Sequence, residues 1–97
     1  EIGVFGGKSL IPMAEALKET GTGVIYGVDP WDSLASIEGM EGVNREWWSS
    51  IDHLSILMGL QSKIAKFGLV NQIALMKCTS KEAPSIYNID ILHIDGN

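Results

Sequence analysis

The sequence predicts an α/β fold, a three-layer sandwich with a mainly parallel sheet, built as a single partial domain over residues 1–97. Three observations predict it. Short apolar runs at 24–28, 73–76 and 89–95 have the length and composition of buried parallel strands. Between them, apolar residues recur at helical spacing. At the front, Gly3, Gly6 and Gly7 join strand-like to helix-like sequence. Strands that alternate with helices give a parallel sheet with helices on both faces.

Taken in order, Ile2 and Val4 end a first strand and the glycines turn the chain. Leu10, Met13, Ala14 and Leu17 then mark a helix. Pro12 is tolerated only near a first turn, so this helix starts close to Lys8 or Ser9; Gly21 and Gly23 end it. Val24 to Val28 form the second strand, stopped by Asp29-Pro30. Residues 31–43 carry three acids, two glycines and no strong period, which predicts a loop or short helical turns. From Asn44 one long helix runs to Phe67, with Trp47, Ile51, Leu54, Met58 and Ala65 along its inner side and Leu57 and Ile64 beside them. Ile73 to Met76 make a third strand, Ala83 to Ile86 a short helix interrupted by Pro84, and Ile89 to Asp95 a fourth strand.

The bulk properties bound the function. A chain that is 45% hydrophobic and 20% charged is of ordinary soluble, globular type. A net charge of −5, with seven scattered basic residues, predicts no nucleic-acid partner, because phosphate neutralisation needs clustered Lys and Arg. No apolar stretch approaches the ~18 residues a membrane span needs, and no secretory signal pattern is present. No membrane partner and a cytoplasmic location are therefore expected. The single cysteine, Cys78, allows neither an internal disulfide nor a Cys-based zinc site and is expected to be a buried, inert thiol. The sequence opens at Glu1 in strand-like residues and stops at Asn97 just after an apolar run. Domains usually begin and end in loops, so a fragment cut at both ends is expected.

Ligands of open α/β sheets bind outside the C-terminal ends of the strands. The residues there are Gly3 to Ser9, Asp29 to Trp31, Cys78 to Ser80 and Asp95 to Asn97. Glycines permit close backbone approach, and the helix N-terminus that follows offers N–H groups to an anion, with Ser9 adding a hydroxyl. Asp29 follows Gly7 by 22 residues. An acid at the end of the second strand, ~20 residues past such a loop, can accept both hydroxyls of a ribose. The plainer alternatives are a structural turn and an Asp-Pro turn initiator. Phe5 stands where a dinucleotide site carries its second glycine, and Glu1 precedes the first. Both disfavour a pyrophosphate, whereas a carboxylate there suits a cationic amino group or sulfonium.

Glu1-Ile2-Gly3-Val4-Phe5-Gly6-Gly7-Lys8-Ser9, then Val28-Asp29-Pro30-Trp31, then Leu92-His93-Ile94-Asp95-Gly96-Asn97 resemble the class I methyltransferases of the methyltransferase domain 24 type, relatives of the catechol and caffeoyl-CoA O-methyltransferases. The resemblance spans essentially the whole chain. It implies a Rossmann-like fold, about four strands of a seven-stranded parent, with S-adenosylmethionine as cofactor. It sets Glu1 and Gly3 along the methionine part, counts Phe5 and Gly7 of the same loop among the cofactor-binding residues, and puts Ser9 on the methionine carboxylate. Asp29 would hold the ribose, Pro30 and Trp31 would flank the adenine, and Thr79 and Ser80 would border its edge. Asp95 would lie near the methyl group and, in metal-dependent relatives, would bind a divalent cation such as Mg²⁺. One carboxylate is not a Mg²⁺ site, and the partner acids of those relatives would follow a fifth strand. The resemblance implies methyl transfer to oxygen, on a small-molecule or sugar hydroxyl, with no catalytic base assigned. The alternatives are an NAD-binding oxidoreductase domain and a non-catalytic nucleotide-binding or structural domain.

Three further residues carry expectations. His93 points away from Leu92 and Ile94 and reads as a hydrogen-bonded structural histidine. His53 is expected on the surface. Of Trp47 and Trp48, one faces the core and the other outward, as an acceptor-site wall, a contact in a homo-oligomer or packing against the fold.

Overall fold

In a computed structural model describing residues 1–96, six elements follow one another. They are α1 (Leu10–Thr20), β1 (Ile25–Asp29), α2 (Ser33–Ser36), α3 (Gly42–Ser50), α4 (His53–Lys66) and β2 (Ile73–Lys77). β1 and β2 pair in parallel, with Ile25 opposite Ile73 and Asp29 opposite Lys77. The expected first and fourth strands are not formed as strands. Two parallel bridges stand in their place, Ile2 to Val28 and Ile2 to Ile94. Side by side, the four segments lie in the order Ile94, Ile2, β1, β2, compatible with one half of a doubly wound sheet.

α1 starts where Pro12 requires and ends at Gly21, whose left-handed conformation (φ 76°) lets its N–H reach the Leu17 carbonyl at 2.9 Å. The long helix expected from Asn44 is two helices. At its C-terminal end α3 is weakened by Ser49 and Ser50, whose hydroxyls donate back to the carbonyls of Glu46 and Trp47. Ile51 is extended, and Asp52 then caps α4 by accepting the Ser55 N–H at 3.1 Å.

The break rotates the buried face. His53, Leu57, Leu60 and Ile64 point inward, while Leu54 and Met58 are exposed. Leu57, Leu60 and Ile64 join Val4, Leu10, Ala14, Trp31 and Leu69 in one cluster, packed against Ile25, Ile73 and Leu75 of the sheet. Both long helices thus share one core. The third layer is not formed: Ser80–Ile89 holds turns and irregular chain with no helix, and Tyr26 on the sheet and Val24 just before it remain exposed. The apolar run meant for the fourth strand is likewise uncovered, with Ile91 82% exposed.

Candidate cofactor cleft at the strand ends

An open cleft of about 1200 Å³ lies over the C-terminal ends of the strand segments. That exceeds the usual small-molecule site of about 300–1,000 Å³ and leaves room for a nucleoside cofactor and part of a second molecule. Gly3, Phe5, Gly7, Ser9, Asp29, Pro30, Thr79, Ser80 and Asp95 all line it. Glu1 and Trp31 do not. Asn97 lies outside the described residues.

The loop is held from beneath. Asp29 Oδ2 accepts the N–H groups of Val4 and Phe5, both at 2.9 Å, and Oδ1 accepts the Trp31 N–H at 2.7 Å. A carboxylate has about four acceptor directions, so three are spent on backbone and one is left for a ligand hydroxyl. Trp31, expected beside an adenine, is instead 3% exposed and donates its indole N–H to the Phe5 carbonyl at 2.9 Å. Phe5 is held at both its backbone groups with φ 52°, a left-handed conformation that costs a non-glycine residue about 1–2 kcal/mol.

Two glycines meet strict requirements. Gly3 (φ 84°) lies so near Gly96 that a Cβ would run into its backbone, and a Cβ on Gly7 (φ 82°) would strike Leu60. Gly7 thus admits a packing side chain of α4 as well as lining the cleft.

Glu1 sits behind the loop with its side chain 0% exposed. Its Oε1 accepts from the Ser9 hydroxyl and from His93 Nδ1, the latter at 2.8 Å, and its Oε2 is buried without a partner. Because a carboxylate only accepts, the Ser9 hydrogen points to Glu1, so Ser9 is not the donor to a ligand carboxylate that was expected, and its lone pairs remain for a ligand. His93 is the hydrogen-bonded residue expected, and its partner is Glu1. Thr79 is half-buried and Ser80 exposed, in a turn where Glu82 accepts the Thr79 N–H at 3.2 Å. Asp95 is exposed, and its N–H bonds the Ile2 carbonyl at 2.8 Å. Among the described residues no three His, Cys, Asp or Glu side chains gather into a metal-binding group, so Asp95 has no partner ligands. Cys78 is half-buried at the end of β2.

The stretch from β1 to the start of α4 also supplies cleft walls: Met40 and His53, which the sequence pattern did not indicate, and Trp48, of the indole pair weighed as an acceptor-site wall. His53 is 5% exposed rather than on the surface. The Trp pair is reversed as well: Trp47 is exposed and Trp48 half-buried, its ring set edge-on to Phe5 at 5.2 Å. The signal that locates them is Asp52-His53-Leu54-Ser55, a helix start that breaks the long period.

Among the described residues no helix is long and apolar enough to cross a membrane. A family profile described as a methyltransferase domain matches residues 1–97. No curated protein and no solved structure matches the chain.

Proposed function

This chain belongs to the methyltransferase domain family of class I, S-adenosylmethionine-dependent enzymes, and we propose that its strand-end cleft holds the methyl donor for transfer to a hydroxyl oxygen of a small molecule or sugar. The observation that carries the reading is the Glu1–Ser9 pair. A buried anion with one unpaired oxygen, fronted by a hydroxyl that can only accept, suits a cationic amino-acid end. The same charge opposes the two phosphates of NAD. The first-turn N–H groups of α1 suit the amino acid's carboxylate. The remaining acceptor direction of Asp29 suits a ribose hydroxyl, and Thr79 and Ser80 border the space left for the base.

When bound, S-adenosylmethionine supplies an electrophilic methyl group. The chain's own contribution is positioning, which lowers the barrier by removing the entropy of encounter. The braced loop fixes the donor's amino-acid end, Asp29 the sugar, and Asp95 stands at the edge where an acceptor would approach. The choice of oxygen rests on the likeness of the three motifs to the catechol and caffeoyl-CoA enzymes. The acids present do not make a metal site, so no step runs through one. The test is calorimetric titration with S-adenosylhomocysteine and with NAD, followed by an assay for methyl transfer. Saturable binding of S-adenosylhomocysteine alone is expected; binding of NAD alone would overturn the reading.

A further inference from the structure

We propose that Trp48 is a positioning residue for the cofactor loop, acting through Phe5; the inference rests on the cleft being an S-adenosylmethionine site. Phe5 is the loop residue in the least favoured backbone conformation, with φ 52°. Such conformations persist only where the surroundings over-determine them. Here Asp29 holds the Phe5 N–H, Trp31 holds its carbonyl, and Trp48 holds its ring at 5.2 Å and 69°.

Trp48 is itself fixed. Trp47 meets its ring edge-on at 5.0 Å, and the His53 ring lies nearly parallel to it at 6.2 Å. The Trp48 carbonyl can only accept, so His53 Nε2 donates to it, at 3.1 Å. His53 opens α4, whose Leu60 fills the space beside Gly7. The cluster Phe5–Trp48–His53 therefore ties the middle of the loop to the helix that packs under its end. All three residues line the cleft. The loop geometry a ligand meets is set partly by a side chain more than forty residues away.

The test is a double-mutant cycle in the full chain, read as the dissociation constant of S-adenosylhomocysteine. Trp48→Ala and Phe5→Gly should each weaken binding about three- to tenfold. The double variant should bind no more weakly than Phe5→Gly alone, because Trp48 works through the ring that Phe5→Gly removes. Trp48→Phe should recover most of the affinity. Trp48→Leu, apolar but without a ring, gives the same reading if Trp48→Ala does not fold. A Trp48 that is only structural would lower the melting temperature and leave the dissociation constant of the folded protein unmoved, which overturns the inference. So would losses that add. Absence of binding by the wild type overturns both the inference and the methyl-donor reading. Wild-type binding with additive or absent losses overturns the inference alone.

Discussion

One carboxylate oxygen of Asp29 holds the Phe5 N–H at 2.9 Å, across 24 positions of sequence, and that bond makes the second strand's last residue the foundation of the first loop. Asp29 is thus a structural residue of the loop. Asp29→Ala leaves three backbone N–H groups without their acceptor and should cost about 2–4 kcal/mol of stability as well as cofactor affinity. Asp29→Asn keeps one oxygen and should fall between. Urea denaturation beside ligand titration separates the two losses, and unchanged unfolding midpoints for Asp29→Ala would refute the bracing role.

Gly7→Ala should destabilise by about 1–3 kcal/mol, since the new methyl group meets Leu60 in a left-handed backbone. Leu60→Ala alone should cost about 2–5 kcal/mol, as for any well-packed core leucine. Together the changes should cost less than their sum, because the smaller side chain vacates the space the methyl needs. Strict additivity in thermal or chemical unfolding would show that the two positions do not meet.

Glu1→Gln tests charge rather than shape. With the buried anion gone, affinity for S-adenosylmethionine should drop about tenfold, the scale of one charge attraction acting from behind the loop. S-adenosylhomocysteine keeps the amino group and lacks only the sulfonium, so its affinity should drop by about the same factor. Paired titrations at low ionic strength read this; unchanged affinity for both ligands would show that the carboxylate does not hold the amino-acid end.

The α4 cap should be pH-sensitive. The Ser55 hydroxyl, then the Ser55 N–H, hold the Asp52 carboxyl below its ordinary value. A lowered folded-state value means the unfolded chain binds the proton more readily. The cap's contribution is therefore complete above the unfolded carboxylate value and is lost as pH falls through the lower folded one. Asp52→Ala should lower the melting temperature at pH 7 and make little difference in strong acid. A gap between wild type and variant that persists at pH 2 would contradict this.

Most of the cleft was legible because its residues announce themselves locally. Gly3, Gly7, Asp29 and Thr79 each stand at a strand-to-helix or strand-to-turn junction, and strand tips converge in any parallel sheet. The α3–α4 break was not legible from periodicity, since Trp47, Leu54 and Met58 keep a helical phase straight through Ile51. A cap interaction between Asp52 and Ser55 outweighs that phase, and with it the buried side changes from Leu54 and Met58 to Leu57 and Leu60. The inward turn of Trp31 was hidden for another reason. Its φ of 42° goes with a local turn, in which Asp29 accepts the Trp31 N–H, but the indole bond that turns the ring inward reaches the Phe5 carbonyl 26 positions back, which no local pattern encodes. The fourth strand had the right alternation, yet among the described residues Ile94 bridges only Ile2. Strand propensity measures fit to neighbouring strands, and one bridge supplies little of that.

The hydrogen bond between His93 and Glu1 closes a loop of 92 positions, close to the largest this chain allows. Contacts so remote in sequence are slow to form, since chain-closure entropy is lost before they repay it. The helices and the β1–β2 pair can assemble from nearer neighbours. The chamber behind the glycine loop should therefore be the last part of the molecule to acquire its native order, and refolding watched at Glu1 and His93 should lag refolding watched at the helices.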